Sequence, residues 1–132
     1  DREKVIETIR EAMKYETPGK KDRNIIFHAD GLLQMVPVRE IIYIKSKEHK
    51  LYITTIDDYF SIPYKSCNAM LKELDSEDFV KCNRSTIVNK SYIKKIDTVN
   101  RYIYLRGSAD VLDIGTIMMK SFMSRFLKND GS

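Results

Sequence analysis

The sequence predicts a mainly β fold, with small antiparallel sheets, two helices packed on them and a linker helix at the N-terminus. Three observations predict it. Short apolar runs follow one another closely from Asn24 to Ile114, with turn-forming residues between them, as in an antiparallel β core. Apolar residues recur at i, i+3, i+4 and i+7 in two places, Cys67-Met70-Leu71-Leu74 and Met119-Phe122-Met123-Phe126, which gives each segment one apolar helical face. At the start, Val5, Ile6, Ile9 and Met13 fall at helical spacing among charges, until Thr17-Pro18-Gly19 ends the pattern.

That first helix cannot bury its stripe alone, and Lys20-Lys21-Asp22-Arg23 continues as a polar linker. Residues 1–23 are therefore expected to lead from a preceding domain of a longer protein, with residues 24–128 as the main domain and 129–132 as a tail. From Asn24 the period shortens. Ile25-Ile26-Phe27 and Leu32-Leu33-Gln34-Met35-Val36 flank Asp30-Gly31, a hairpin signal because Gly accepts positive φ, and Pro37 stops the second strand. Ile41 to Ile44 and Leu51 to Ile56 form the next expected pair, around a polar turn from Lys45 to Lys50. Asp57-Asp58 then turns the chain into Tyr59 to Ile62. The two carboxylates are adjacent, and on a strand they would point to opposite faces, so they suit a turn better than an acid–base pair. A helix is expected over 65–75, then strands at 79–82, 86–88, 94–98, 101–105 and 110–114, with Arg106-Gly107-Ser108 as a turn. A closing helix follows near 116–127, with Thr116 as its N-cap.

Composition excludes several classes. Apolar residues make up 42% of the chain, enough for a core, and no stretch approaches the ~18 uninterrupted apolar residues of a membrane span. Cys67 and Cys82 lack CxxC spacing and a nearby His pair, so no zinc site is expected, and two thiols suit a reducing cytosol. Both read as small buried apolar residues; the competing reading is a reactive thiol at Cys82 beside Lys81 and Arg84. G-x-S-x-G, phosphate-cradling glycine loops and H-E-x-x-H are all missing, so neither an enzyme nor a cofactor is expected.

The most informative segment is Phe79 to Ile96. Two apolar runs flank a polar knot of Asn83, Arg84, Ser85 and Thr86, and basic residues follow at once. From Lys81 to Arg106 there are seven Lys or Arg and one acid, Asp97, whereas Glu73, Asp75, Glu77 and Asp78 lie just before. Such a reversal points to a face that meets a polyanion. Arg and Asn can make bidentate contacts to base edges, and Ser and Thr can donate to phosphates. Each residue also has a structural reading. Arg84 could pair with an acid in a turn, Ser85 is a turn former, Asn83 divides between loop geometry and contact, and Asn89 suits an Asx-turn. Any single Lys is more often simply solvated.

The run Phe79-x-x-Cys82-Asn83-Arg84-Ser85-x-x-Val88-Asn89-x-x-x-Ile93-x-x-Ile96 resembles the centre of the LytTR domain, the DNA-binding output module of many bacterial response regulators. The resemblance extends over roughly 24–127. Met70-Leu71-x-x-Leu74 leads into Phe79 as the family's helix does, and Ile41-Ile42-Tyr43-Ile44 with the turn holding His49 is similar to its early hairpin. Asn83 stands where many relatives carry His, and Gly115 falls about where some carry a base-reading Arg.

The resemblance implies a LytTR-like fold and sequence-specific binding of double-stranded DNA, on tandem direct repeats and as a possible dimer. A phosphoacceptor receiver domain would lie upstream, as in a cytoplasmic two-component regulator. Loops around His49 and around Asn83-Arg84 would enter the groove. The site implied is His49, Lys47, Lys50, Lys81, Asn83, Arg84, Ser85, Thr86, Lys90, Lys94 and Lys95, the lysines acting as phosphate partners. The alternative is a protein- or ligand-binding β module whose basic face is incidental.

Overall fold

The computed structural model describes residues 23–29, 31–63 and 65–130. The expected linker helix at the N-terminus lies outside them. Among the described residues the strands are β1 (Asn24–Ala29), β2 (Leu32–Pro37), β3 (Ile41–Lys47), β4 (Lys50–Thr55), β5 (Tyr59–Pro63), β6 (Phe79–Asn83), β7 (Thr86–Asn89), β8 (Ile93–Asp97), β9 (Tyr102–Leu105) and β10 (Val111–Asp113). Two α-helices, α1 (Cys67–Leu74) and α2 (Met119–Asp130), complete the set. All pairings are antiparallel: a five-stranded sheet in the order β5-β4-β3-β7-β6, a three-stranded sheet β10-β9-β8, and the hairpin β1-β2.

In the five-stranded sheet, β3, β7 and β6 are buried on both faces, while β4 and β5 bury one. Because side chains alternate along a strand, neighbours such as Ile87 and Val88 enter different cores. Ile87 joins Ile44, Leu51 and Ile53 in a cluster closed by the β1-β2 hairpin and by Met70 and Leu74 of α1. Val88 joins Tyr43, Val80 and Cys82 in a second cluster closed by Ile103, Leu105 and Leu112 of the three-stranded sheet and by Phe122 of α2. Phe122 is 1% exposed, and burying a side chain of that size contributes about 1.5–3 kcal/mol to holding α2.

Local chemistry sets the boundaries. Ser66 caps α1, its Oγ accepting from the Ala69 amide at 3.0 Å, and Asp75 ends the helix in the left-handed region at φ 44°. Asp57-Asp58 does form a turn: the Thr55 amide donates to the Asp58 carbonyl at 2.9 Å. Asn89, 2% exposed, makes the Asx-turn, accepting from the Ser91 amide at 2.9 Å while its Nδ2 donates to the Ile41 carbonyl at 2.9 Å. Asp97, the one acid of the basic stretch, is occupied within the 98–101 turn. It accepts from the Asn100 amide and side chain and from the Val99 amide, and these bonds hold its carboxyl below the usual range.

The closing helix begins later than its sequence pattern suggests. Residues 116–118 form a turn and α2 starts at Met119, so Thr116 is not the N-cap; α2 then runs through Asp130, into the expected tail. The physical cause is a docking contact. The Gly115 amide donates to the Cys82 carbonyl at 2.8 Å, which pins the chain to the end of β6 before it can coil.

Candidate nucleic-acid interface

Sheet register brings two hairpin tips to one end of the molecule. β3 and β7 pair with Lys45 opposite Thr86, and beyond that the Ser46 amide donates to the Ser85 carbonyl at 2.7 Å. The β3-β4 and β6-β7 turns therefore project side by side. In the first, Lys47 pairs with Lys50, and Glu48 and His49 both adopt positive φ, 52° and 64°, the signature of a type I′ turn. Lys47, Glu48, His49 and Lys50 are all exposed. In the second, Asn83 pairs with Thr86 across Arg84 and Ser85, neither of which has positive φ, and a bulge between Lys81 and Asn83 adjusts the strand.

Asn83 builds this second tip. Its Oδ1 accepts from the Ser85 amide at 2.9 Å and from the Ser85 hydroxyl at 3.2 Å, and its Nδ2 donates to the Asp113 carbonyl at 2.8 Å. The last bond ties the tip to the end of β10 and brings in a third segment, Gly115 to Met118. Together these segments line an open groove of about 750 Å³, walled by Lys45, Arg84, Ser85, Asp113, Thr116 and Ile117. Arg84 is exposed at its rim, and Asp113 is the one acid among the lining residues. A second hollow of about 520 Å³ lies against the other tip, bounded by Ser46, Glu48, His49, Lys65 and Ser66.

The structure brings His49, Lys47, Lys50, Asn83, Arg84 and Ser85 to this end. Lys81 lies one pair further along β6, opposite Ile87, with its Nζ 3.4 Å from Asn68 Oδ1 on α1. Three expected contacts, Lys90, Lys94 and Lys95, fall elsewhere, and a fourth, Thr86, lines the groove with its side chain packed inward. Thr86 is 1% exposed, so packing takes its hydroxyl out of reach of a phosphate. Lys90 follows the far end of β7, about 13 Å from Thr86 at the near end at ~3.3 Å per residue. There its Nζ donates to the Arg125 carbonyl of α2 at 3.2 Å, and burial holds its ammonium pKa below the usual lysine value. Lys94 and Lys95 are exposed on β8, an edge strand of the other sheet, where Lys95 Nζ lies 5.0 Å from the centre of the Tyr104 ring.

The reactive-thiol reading of Cys82 is also corrected. The residue is fully buried, and burial pushes the thiol up to about 12, with the Asp113 charge adding to the effect. Lys81 and Arg84 do not offset this, because their charges face solvent while the sulfur does not.

Lys45 and Ile117 escaped sequence reasoning, whereas Gly115 was singled out by the resemblance: Lys45, on β3, is exposed in the groove, and the Gly115–Met118 turn supplies its far wall. The odd spacing of Gly115 before the helical stripe was the available signal. Lys120, exposed in the first turn of α2, follows directly.

A β scaffold that gathers basic hairpin tips and a glycine-led turn at one end, with no helix at the centre of that surface, defines a loop-presenting recognition module. The family model for the LytTr DNA-binding domain matches residues 32–126, and the chain belongs to the LytTR family. Among solved structures, it is similar to the LytTr DNA-binding domain of a methyl-accepting/DNA response regulator from Bacillus cereus. That match has a TM-score of 0.65 and 20% identity, and covers 80% of this chain and 96% of the other. No curated protein matches the chain. Among the described residues, no helix is long and apolar enough to cross a membrane.

Proposed function

We propose that the domain binds double-stranded DNA sequence-specifically, as the transcription-controlling output of a two-component response regulator. The observation that carries this is the convergence of Lys45, Lys47, Lys50 and Arg84, exposed on two adjacent hairpin tips, beside the Gly115–Met118 turn. A two-stranded ribbon fits a major groove ~12 Å wide, so the tips can enter where other regulators insert a helix. Arg84 takes the base-reading role, with the paired acceptors of a guanine edge as its natural partner. His49 offers a second polar contact from the neighbouring tip. Asn83 acts by positioning, since its amide already holds Ser85 and Asp113. Lys45, Lys47 and Lys50 hold phosphates. Two copies on tandem direct repeats, paired through phosphorylation of an upstream receiver, would complete the regulator.

Titration of a duplex at several salt concentrations tests the reading, together with selection from randomised duplexes. Three neutralised phosphates predict a log–log salt slope of about −2.7, and a defined sequence should emerge from selection. Salt-insensitive, sequence-blind binding would overturn it in favour of a module that takes a ligand in the groove.

A further inference from the structure

Ile117 is 95% exposed, more than any other large apolar side chain among the described residues. Single exposed apolar residues are common on protein surfaces; this one is distinguished by how it is held and what surrounds it. The Gly115 amide is anchored to the Cys82 carbonyl, the Met118 amide donates to the Gly115 carbonyl at 3.1 Å, and the Phe122 amide to the Met118 carbonyl at 2.8 Å. Backbone bonds on both sides thus fix an apolar, β-branched side chain outward, and its stiff χ1 leaves little freedom to lose on contact. It shares the groove with Lys45, Arg84, Ser85 and Thr116, a polar company with nothing apolar to cover it beyond Met118.

We propose that Ile117 is a specificity-determining residue that packs against the 5-methyl group of a thymine when the Arg84 tip enters the major groove. The inference rests on the DNA-binding reading and adds the base class read by the third segment. The thymine methyl is the apolar group that base pairs display in the major groove, beside acceptors and donors that suit Arg84. One methyl moved out of water corresponds to about fourfold in affinity.

The test uses the 132-residue chain and the duplex it selects from a randomised pool. Each thymine is replaced singly by deoxyuridine, which removes the methyl and leaves base pairing intact. Wild type should lose about fourfold at one position. Ile117→Ala should bind the thymine and deoxyuridine duplexes alike there, and Ile117→Val should keep the discrimination. Indifference of wild type to every deoxyuridine, or an equal penalty in Ile117→Ala, would overturn the assignment while leaving sequence-specific binding in place. If no duplex is selected at all, the DNA reading itself falls, and this inference with it.

Discussion

At the scale of the residue, Arg84 and Asn83 are neighbours with different work. Arg84 is exposed at the groove rim, whereas Asn83 directs both ends of its amide to Ser85 and Asp113. Arg84→Ala should therefore weaken binding to the selected duplex by roughly 1–3 kcal/mol and flatten preference at one or two base positions, with the fold intact by circular dichroism. An unchanged preference across single-base variants would remove Arg84 from the readout. Gly115 offers the opposite experiment. Its φ lies outside the left-handed region, and an added Cβ would meet Asn83 Cα and Cβ at 3.6 Å, ordinary van der Waals contact. Gly115→Arg should melt within a few degrees of wild type and gain about 1 kcal/mol in duplex affinity from a further charged contact. A stable variant with no gain would place this wall of the groove away from DNA.

At the scale of the element, the β3-β4 turn departs from its own chemistry. Type I′ geometry favours Asn-Gly, yet Glu48 and His49 hold φ of 52° and 64°. Residues kept in a strained conformation often serve function rather than stability. His49→Gly should accordingly raise stability by roughly 1 kcal/mol while lowering affinity for the preferred duplex. Thermal melting and duplex titration on the same sample decide it. A variant that gains stability and loses no affinity would show that this tip stays clear of the groove. The β7 strand makes a related point. Its ends belong to different jobs, Arg84-Ser85 to the groove and Asn89-Lys90 to the contact with Ile41 and α2.

At the scale of the whole molecule, β3, β7 and β6 of the central sheet are sealed on both faces, and that seal has a pH signature. Folding pushes the Cys82 thiol from 9.0 up to about 12, mainly through burial. The folded state keeps a proton that the unfolded chain releases above pH 9. Stability from this source is complete below pH 9 and is lost as pH rises towards 12. Tyr43, pushed from 10.0 to about 12 by burial and by its 2.6 Å hydrogen bond to Asp110, acts with the same sign from pH 10 upward. Melting temperatures measured between pH 8 and 11 should fall less steeply in Cys82→Ala than in wild type, and parallel curves would contradict the assignment. Both cores are assembled from residues between Ile25 and Phe122, so removing residues 1–20 should leave a cooperative melt and duplex binding. Loss of the transition would mean that the N-terminal stripe completes a core.

Much of this protein was legible in its sequence because the deciding interactions are local. Period-two and period-3.6 patterns marked the strands and helices, Gly31 and Asp57-Asp58 marked turns, and the polar knot at Asn83 to Ser85 marked one tip of the candidate site. The family resemblance then joined that knot to the His49 turn. The tertiary structure decided which charges share a surface. Seven cations between Lys81 and Arg106 look like one patch in sequence. A strand advances ~3.3 Å per residue, however, and carries Lys90 to the far end, while the chain crossing into another sheet takes Lys94 and Lys95 away. Antiparallel register does the reverse for Lys45, setting it across from Thr86, and the Gly115 amide bond to Cys82 brings Ile117 into the same groove. Those contacts join residues tens of positions apart, and no local pattern encodes their register.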